Sequence, residues 1–211
     1  MIQVLIILFC AAVVSFVGSL QLGPVNVMVI NTVLHQNSRS AWRVALGGCI
    51  PEFIYSALAV YFGQHFVSNS VLNKALNIVS IILFAAMGVF FIFKKAKAIS
   101  LESNSLQKAN TAHNFYKGFA LASFNPQLLP FWFFIFLGFN DITLLKVSSS
   151  IQKLAFVLGS GVGAFALLSL FIFLTHKYKT KIISKINLSQ INIAIGVFFL
   201  IIALRQLISI I

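Results

Sequence analysis

Long apolar stretches limit this chain to one class of structure. Six of them are about 20 residues or longer, the length that an α-helix needs to cross the hydrocarbon core of a bilayer. They extend over residues 2–34, 44–62, 71–93, 115–139, 154–175 and 191–210. Only 9% of the residues are charged, whereas about a quarter are charged in soluble domains. The sequence therefore predicts an all-α integral membrane protein with six transmembrane helices.

The charges between these stretches indicate how the chain is oriented. Of the 15 Lys and Arg residues, eleven lie in or beside the first, third and fifth gaps and three in or beside the second and fourth. Since cytoplasmic loops carry the excess of Lys and Arg, the odd gaps are expected inside and both termini outside. The net charge of +12 thus indicates a membrane surface rather than nucleic acid, which needs its cations on one water-facing surface.

Two of the six stretches carry the same defect. The first contains Gly23-Pro24-Val25-Asn26 and the fourth contains Asn125-Pro126-Gln127. Proline removes a backbone donor and clashes with the preceding turn, so each span is expected to be broken into two half-helices. Since proline is favoured at the first position of a helix, Pro24 and Pro126 are expected to begin the second half of each span.

The chain also shows signs of an internal repeat. The third and sixth spans share Gly-Val-Phe-Phe, at residues 88–91 and 196–199. A second copy of a three-span unit enters the membrane from the opposite side, so the pattern predicts two inverted three-helix repeats. They form one transmembrane domain, with repeats at residues 1–93 and 115–211 and a basic cytoplasmic loop at 94–114.

Glu52 is the only acidic residue inside a span. A carboxylate near the bilayer centre is costly, so we expect Glu52 to face the bundle interior as a cation or proton site. The alternatives are that it reaches the membrane surface or caps a kink at Pro51. Tyr55 lies three residues further on the same helix face and is the one tyrosine that does not lie at a span end.

The two breaks and Glu52 together suit one kind of ligand. Half-helix N-termini present free N–H groups and a partial positive charge, which favour a carboxylate, and Glu52 favours an ammonium group. Asn26 and Asn125 can bond the backbone groups at the breaks, or a polar solute, and both roles are left open. The pattern predicts a site for a zwitterion such as an amino acid.

These residues resemble the lysine exporter type (LysE/RhtB) translocators, a family of bacterial amino-acid exporters. Residues 22–26, Leu-Gly-Pro-Val-Asn, resemble the Pro-Gly-Pro-Asn signature of the family, with Leu in place of its first Pro. Leu46-Gly47 matches the next family segment, and Glu52 falls on its Asp. Residues 118–131 resemble the Gly-Phe…Asn-Pro-Lys…Phe segment of the second half, with Gln127 where Lys is usual.

The resemblance implies a secondary transporter in the bacterial inner membrane that exports an amino acid or a related small metabolite, driven by the proton motive force. It implies no enzymatic activity and no cofactor, with a small-molecule substrate and the lipid bilayer as partners, and a homodimer is left open. Because Gln127 stands where the family usually has Lys, it is left open which carboxylate or other anion the protein accepts. The site residues that we expect are Glu52, Asn26, Asn125, Gly23, Pro24, Pro126, Gln127 and Tyr55.

Two other functions are alternatives. A membrane thiol-redox carrier would use Cys10 and Cys49, although they lie in different spans and neither is beside a proline. An exporter of metal cations is the second alternative. One intramembrane acid without a cluster of His or Cys makes a poor site for a divalent ion, so no metal site is predicted.

Overall fold

The structure, a computed structural model, describes residues 1–20, 23–67, 70–93, 111–125, 127–178 and 188–208. Within these ranges it contains eight α-helices and no β-strand. The helices are α1 (Ile2–Gly18), α2 (Pro24–His35), α3 (Ser38–Val67), α4 (Ser70–Phe93), α5 (Thr111–Ser123), α6 (Leu128–Asn140), α7 (Ser150–Tyr178) and α8 (Leu188–Ile208), with a 3-10 turn at Thr143–Leu145. Predictions made for Leu22, Pro126 and residues 94–110 fall outside the described residues.

Both expected breaks lie between short helices. Helix α1 ends at Gly18 and α2 begins with Pro24 in its first turn, where the missing N–H is harmless because that position has no intrahelical partner. In the second half, α5 ends at Ser123 and α6 begins at Leu128, two residues after the start at Pro126 that the sequence predicted. The axes of this second pair differ by 62°.

The longest helices are suited to a membrane. By length and composition, α3 over Ser38–Gly63 and α7 over Ser150–Tyr178 can each cross a bilayer, and the bent pair α5–α6 counts as a third span if it is taken as one. The outward-facing surface of the described helices carries large apolar side chains, among them Leu5, Phe9, Ile82, Phe90, Leu158 and Phe173. The protein is a helical, multi-pass membrane protein.

Helix α1 packs along α7, and glycines bring the two backbones together. Added Cβ atoms on Gly159 and Gly163 would collide with the backbone of α1, at Leu8 and Ala12 respectively. Small residues allow membrane helices to approach this closely. Because the contact advances in the same direction along both helices, α1 and α7 run parallel.

Helix α3 packs along α5 in the same manner. Near the start of α3, Val44 lies against Gly118, and an added Cβ on Gly118 would meet its carbonyl group. Further along, the hydroxyl of Tyr55 donates to the carbonyl oxygen of Ser123 at 2.7 Å. The contact again advances in the same direction, so α3 and α5 run parallel.

Helix α4 packs on α8 with the opposite sense. An added Cβ on Gly88 would lie 2.7 Å from Leu200, and one on Gly196 would lie 2.6 Å from Ile92. The earlier residue of one helix thus meets the later residue of the other. Helices α4 and α8 are therefore antiparallel.

Polar contacts join the helices at both ends of the bundle. At one end they are the bond from Gln3 to the carbonyl oxygen of Lys146 (3.5 Å) and the ammonium of Lys153 over the ring of Tyr61 (5.0 Å). At the other end they are Asn114 with Gln36 (2.9 Å) and Ser38 with His176 (3.1 Å). Each contact links segments that the charge pattern predicts on the same side of the membrane.

Candidate functional site

A cavity of about 70 Å³ lies where the two helix breaks face α3. Its wall also includes Ala164 and Leu168 of α7 and Phe199 of α8. Since one buried water needs on the order of 10–15 Å³, the cavity holds a handful of water-sized groups. The predicted site residues in its wall are Gly23, Pro24, Asn26, Glu52, Asn125 and Gln127.

Glu52 lies in the wall of this cavity and is 8% exposed, so its carboxyl faces the bundle interior instead of reaching the membrane surface. The indole Nε1 of Trp132 donates to its Oε2 at 2.5 Å, and the side chain of Ser19 is a second hydrogen-bonding neighbour. Both donors are neutral. Among the described wall residues Glu52 is the only ionisable one, so no cationic side chain there neutralises it.

Asn26 closes the first break. Its Nδ2 donates to the carbonyl oxygen of Ser19, at the end of α1, at 2.8 Å, which joins the two half-helices. Gly23 precedes Pro24 as the N-cap of α2 and, as a glycine, it has no side chain to cap this end of the helix. The positive end of the α2 dipole therefore lies at the cavity wall.

Asn125 organises the second break in a related way. Its Oδ1 accepts from the backbone N–H of Gln127 at 3.2 Å, and its carbonyl oxygen accepts from the N–H of Leu128 at 3.2 Å. Such side-chain bonds to nearby backbone are typical of asparagine in turns. Asn26 and Asn125 thus hold the breaks and line the cavity at the same time, so one role does not exclude the other.

Tyr55 does not join this group. Tyr55 is half-buried and lies outside the cavity wall, where its hydroxyl binds the carbonyl oxygen of the last residue of α5, Ser123. It fixes α3 against the residue at which the second break begins. Pro126 falls outside the described residues.

Sequence reasoning missed a buried serine chain next to Glu52. The hydroxyl of Ser15 on α1 donates to the carbonyl oxygen of Ser160 on α7 at 2.6 Å. The hydroxyl of Ser160 lies 2.7 Å from that of Ser56 on α3 and 3.4 Å from the backbone oxygen of Glu52. These contacts join the helical turn of α3 that contains Glu52 to α7, and α7 to α1. A serine in one span gives no signal of this, because its hydroxyl can equally bond its own helix.

Trp132 was also missed, although the sequence held a signal for it. The indole is fully buried, and a buried Trp N–H usually finds an acceptor. Glu52 is the one acidic residue within the predicted spans. It was therefore the natural candidate for the hydrogen-bond acceptor of a buried tryptophan.

The side chains that a thiol-redox carrier or a metal-cation exporter would need are not grouped together in the described residues. Cys10 packs against one apolar core cluster and Cys49 lies in the other, and both are free thiols. Within the described part of the chain, no three His, Cys, Asp or Glu side chains are grouped so that they could hold a metal ion.

Comparison with known proteins gives one match. The family model described as LysE type translocator matches residues 16–209, a range that includes both breaks, Glu52 and Trp132. No curated protein and no solved structure matches the chain.

Proposed function

The chain belongs to the LysE type translocator family, and we propose that it is a secondary transporter that exports an amino acid or a related small metabolite. In this proposal the protein lies in the bacterial inner membrane with both termini outside, and the proton motive force drives export. The cavity at which both helix breaks meet Glu52 is the observation that carries the proposal, because paired broken spans are typical of transporter binding sites.

We propose that the architecture is two inverted repeats of three spans. The directions of the packed helices support it. An inverted second copy makes α1 and α7 enter from outside and α3 and α5 from inside, so each pair should be parallel, as the contacts of Gly159 and Tyr55 indicate. The same arrangement makes α4 and α8 antiparallel, in agreement with the contacts of Gly88 and Gly196.

The contacts at the bundle ends support the assignment of the odd gaps to one side of the membrane and the even gaps to the other. Gln36 and Asn114 belong to the first and third gaps, which the charges assign to the inside, and they are bonded at 2.9 Å. Tyr61 and Lys153 flank the second and fourth gaps, which are assigned to the outside, and they are also in contact. An odd number of spans between these residues would separate them by the thickness of the membrane.

The charges of the cavity support a zwitterionic substrate. The N-terminus of α2, which begins after Gly23, offers the positive end of a helix dipole to a carboxylate, and Glu52 in the same wall offers a negative group to an ammonium. The remaining wall is largely apolar, with Leu121, Phe131 and Leu168 among its members. A small substrate with an uncharged side chain fits this wall best, because a charged one would be left without a partner.

The test is uptake of each of the twenty L-amino acids into energised inside-out vesicles. Wild type is compared with Glu52→Gln and with Asp141→Asn, which removes an acid outside the cavity wall. We expect uptake of one or a few amino acids, lost in Glu52→Gln and retained in Asp141→Asn. Uptake of none would contradict amino-acid export, and equal loss in both variants would contradict a specific role of Glu52.

The same vesicles test the thiol-redox alternative. A double variant, Cys10→Ala with Cys49→Ala, should transport as wild type does, because neither thiol lines the cavity. Loss of uptake in a variant that remains folded would favour the redox function instead.

A further inference from the structure

Trp132 connects the ionisable group of the cavity to the second half of a broken span. It belongs to α6, which begins at Leu128 directly after the break, whereas Glu52 belongs to α3. The Nε1–Oε2 bond of 2.5 Å therefore bridges two helices, and both partners are buried. Two neighbours of Trp132 on α6, Leu128 and Phe131, form part of the cavity wall.

The indole ring is held in this orientation by other aromatic rings. Phe131 meets it edge to face at 5.2 Å and Phe156 of α7 does so at 5.5 Å. Phe156 in turn contacts Phe139, near the end of α6, at 5.1 Å. Since such a core is close-packed, the indole cannot turn its N–H away from Glu52 unless α6 shifts against α7.

The indole N–H is a donor whose hydrogen bond depends on the charge of Glu52 but does not neutralise that charge. The N–H is a donor only and carries no charge, so it orients the carboxylate and leaves its negative charge for a cationic solute. A hydrogen bond to an ionised carboxylate is roughly twice as strong as one to a neutral group. The strength of the bond therefore depends on what occupies Glu52. The other titratable groups near Glu52, Cys49 and Tyr55, lie on α3 itself, and no other titratable side chain lines the described cavity wall.

We propose that Trp132 is a positioning residue that makes the placement of α6 depend on the occupant of the Glu52 carboxyl. When a cationic group binds Glu52, the carboxylate stays ionised and its hydrogen bond to Trp132 holds α6 in place. When the carboxyl is neutral, this hydrogen bond is weaker. The identity of the group that binds Glu52 rests on the proposed function, whereas the dependence of the placement of α6 on Glu52 does not.

The chain offers a direct way to observe this link, because it has two tryptophans. Trp42 lies on α3 away from the cavity wall, 37% exposed and in contact with Phe165 at 5.6 Å. In a Trp42→Phe protein reconstituted in lipid, the one indole N–H resonance reports Trp132. Adding Glu52→Leu removes the acceptor, and Glu52→Gln keeps an acceptor oxygen without the charge.

We expect Glu52→Leu to move the indole resonance far and Glu52→Gln to move it less. Amide hydrogen exchange should accelerate about tenfold or more in the first turns of α6, the effect of losing a bond to a charged group, in both Glu52→Leu and Trp132→Phe. Trp42→Phe is the matched control and should exchange as wild type does. The twenty L-amino acids, added singly to the Trp42→Phe protein, should move the resonance only where vesicle uptake is observed.

The proposal would be overturned if Glu52→Leu did not move the indole N–H resonance. It would also be overturned if amide hydrogen exchange in α6 were the same in Trp132→Phe as in wild type. Neither readout requires transport. If both behave as expected while no amino acid is taken up, the link between Trp132 and Glu52 stands and only the proposed substrate class fails.

Discussion

Gly88 and Gly196 face each other where α4 and α8 cross, and each would direct an added Cβ at the carbonyl oxygen of the other. The two distances are 2.9 and 2.6 Å, shorter than a carbon and an oxygen tolerate. Both glycines begin the repeated sequence Gly-Val-Phe-Phe. A residue that touches its own repeat counterpart reciprocally is what a two-fold relation between two units requires, and this contact supports the proposed inverted repeat.

The first prediction concerns this contact. Gly88→Ala and Gly196→Ala should each lower the free energy of unfolding by about 1–3 kcal/mol, the usual cost of overpacking, and by similar amounts. Gly138→Ala is the control, because an added Cβ there meets nothing within 4 Å. Denaturant unfolding in detergent measures all three. Equal stability of the Gly88 and Gly138 variants would show that the helices do not meet at Gly88.

The second prediction separates holding a break from contacting solute. Asn26→Ala removes the 2.8 Å bond to the carbonyl oxygen of Ser19. Outside the cavity wall, Asn140→Ala removes an equally long bond to the carbonyl oxygen of Phe136 and the 3.3 Å bond that its Oδ1 accepts from the N–H of Val147. Each lost bond should lower the free energy of unfolding by about 1 kcal/mol. Only Asn26→Ala should also raise the KM for vesicle uptake. Equal KM values in the two variants would reduce Asn26 to a capping residue.

The third prediction concerns the size of the cavity. Ala164→Leu adds three carbon atoms to a wall residue of α7, and in a cavity of about 70 Å³ this should abolish uptake of the larger substrates first. Ala166→Leu lies two residues further on the exposed side of the same helix and should have no effect. The comparison is made in vesicles at matched amounts of folded protein. Unaltered substrate selection by Ala164→Leu would mean that the solute passes elsewhere.

The fourth prediction uses Asp141, which directly follows α6. Burial raises the pKa of this carboxyl, and the nearby positive charge of Arg205 lowers it in part. Because the pKa is higher in the folded state, the folded protein binds the proton more tightly, and this stabilisation is lost as the pH rises through that pKa. Asp141→Asn should therefore raise the Tm relative to wild type near neutral pH.

The advantage of this variant should vanish towards about pH 3, where the wild-type carboxyl is also uncharged. Thermal unfolding in detergent across this range gives the difference directly. A wild-type protein that gains stability over Asp141→Asn as the pH rises would show that the attraction of Arg205 outweighs the burial of Asp141.

The elements governed by local rules could be predicted from the sequence. Pro24 begins a helix because its fixed backbone angle suits the first turn, and the family resemblance read from residues 22–26 and 118–131 is confirmed by the match over residues 16–209. The ends of helices were less well predicted. Helix α3 begins at Ser38, ahead of its apolar stretch, because the side chain of Asn37 caps it through the N–H of Ser40 at 2.8 Å.

Contacts between distant helices could not be predicted in this way. Glu52 and Tyr55 are three residues apart on one helix, yet one faces the cavity and the other binds Ser123. This difference depends on which helices lie beside α3, and hydrophobic periodicity carries no such information. The bond between Trp132 and Glu52 joins positions 80 residues apart and depends on the same arrangement.

The packing of early helices on later ones has a consequence for biosynthesis. The partners of α1 and α3 are α7 and α5, which the ribosome produces only after the whole first half has emerged. Until then Gly47 lacks the α5 backbone that lies against it at Phe115, and Glu52 lacks the indole of Trp132. Helices α1 to α4 therefore remain without these partners in the early part of synthesis, and the wall around the Glu52 carboxyl is complete only when translation has passed Phe199.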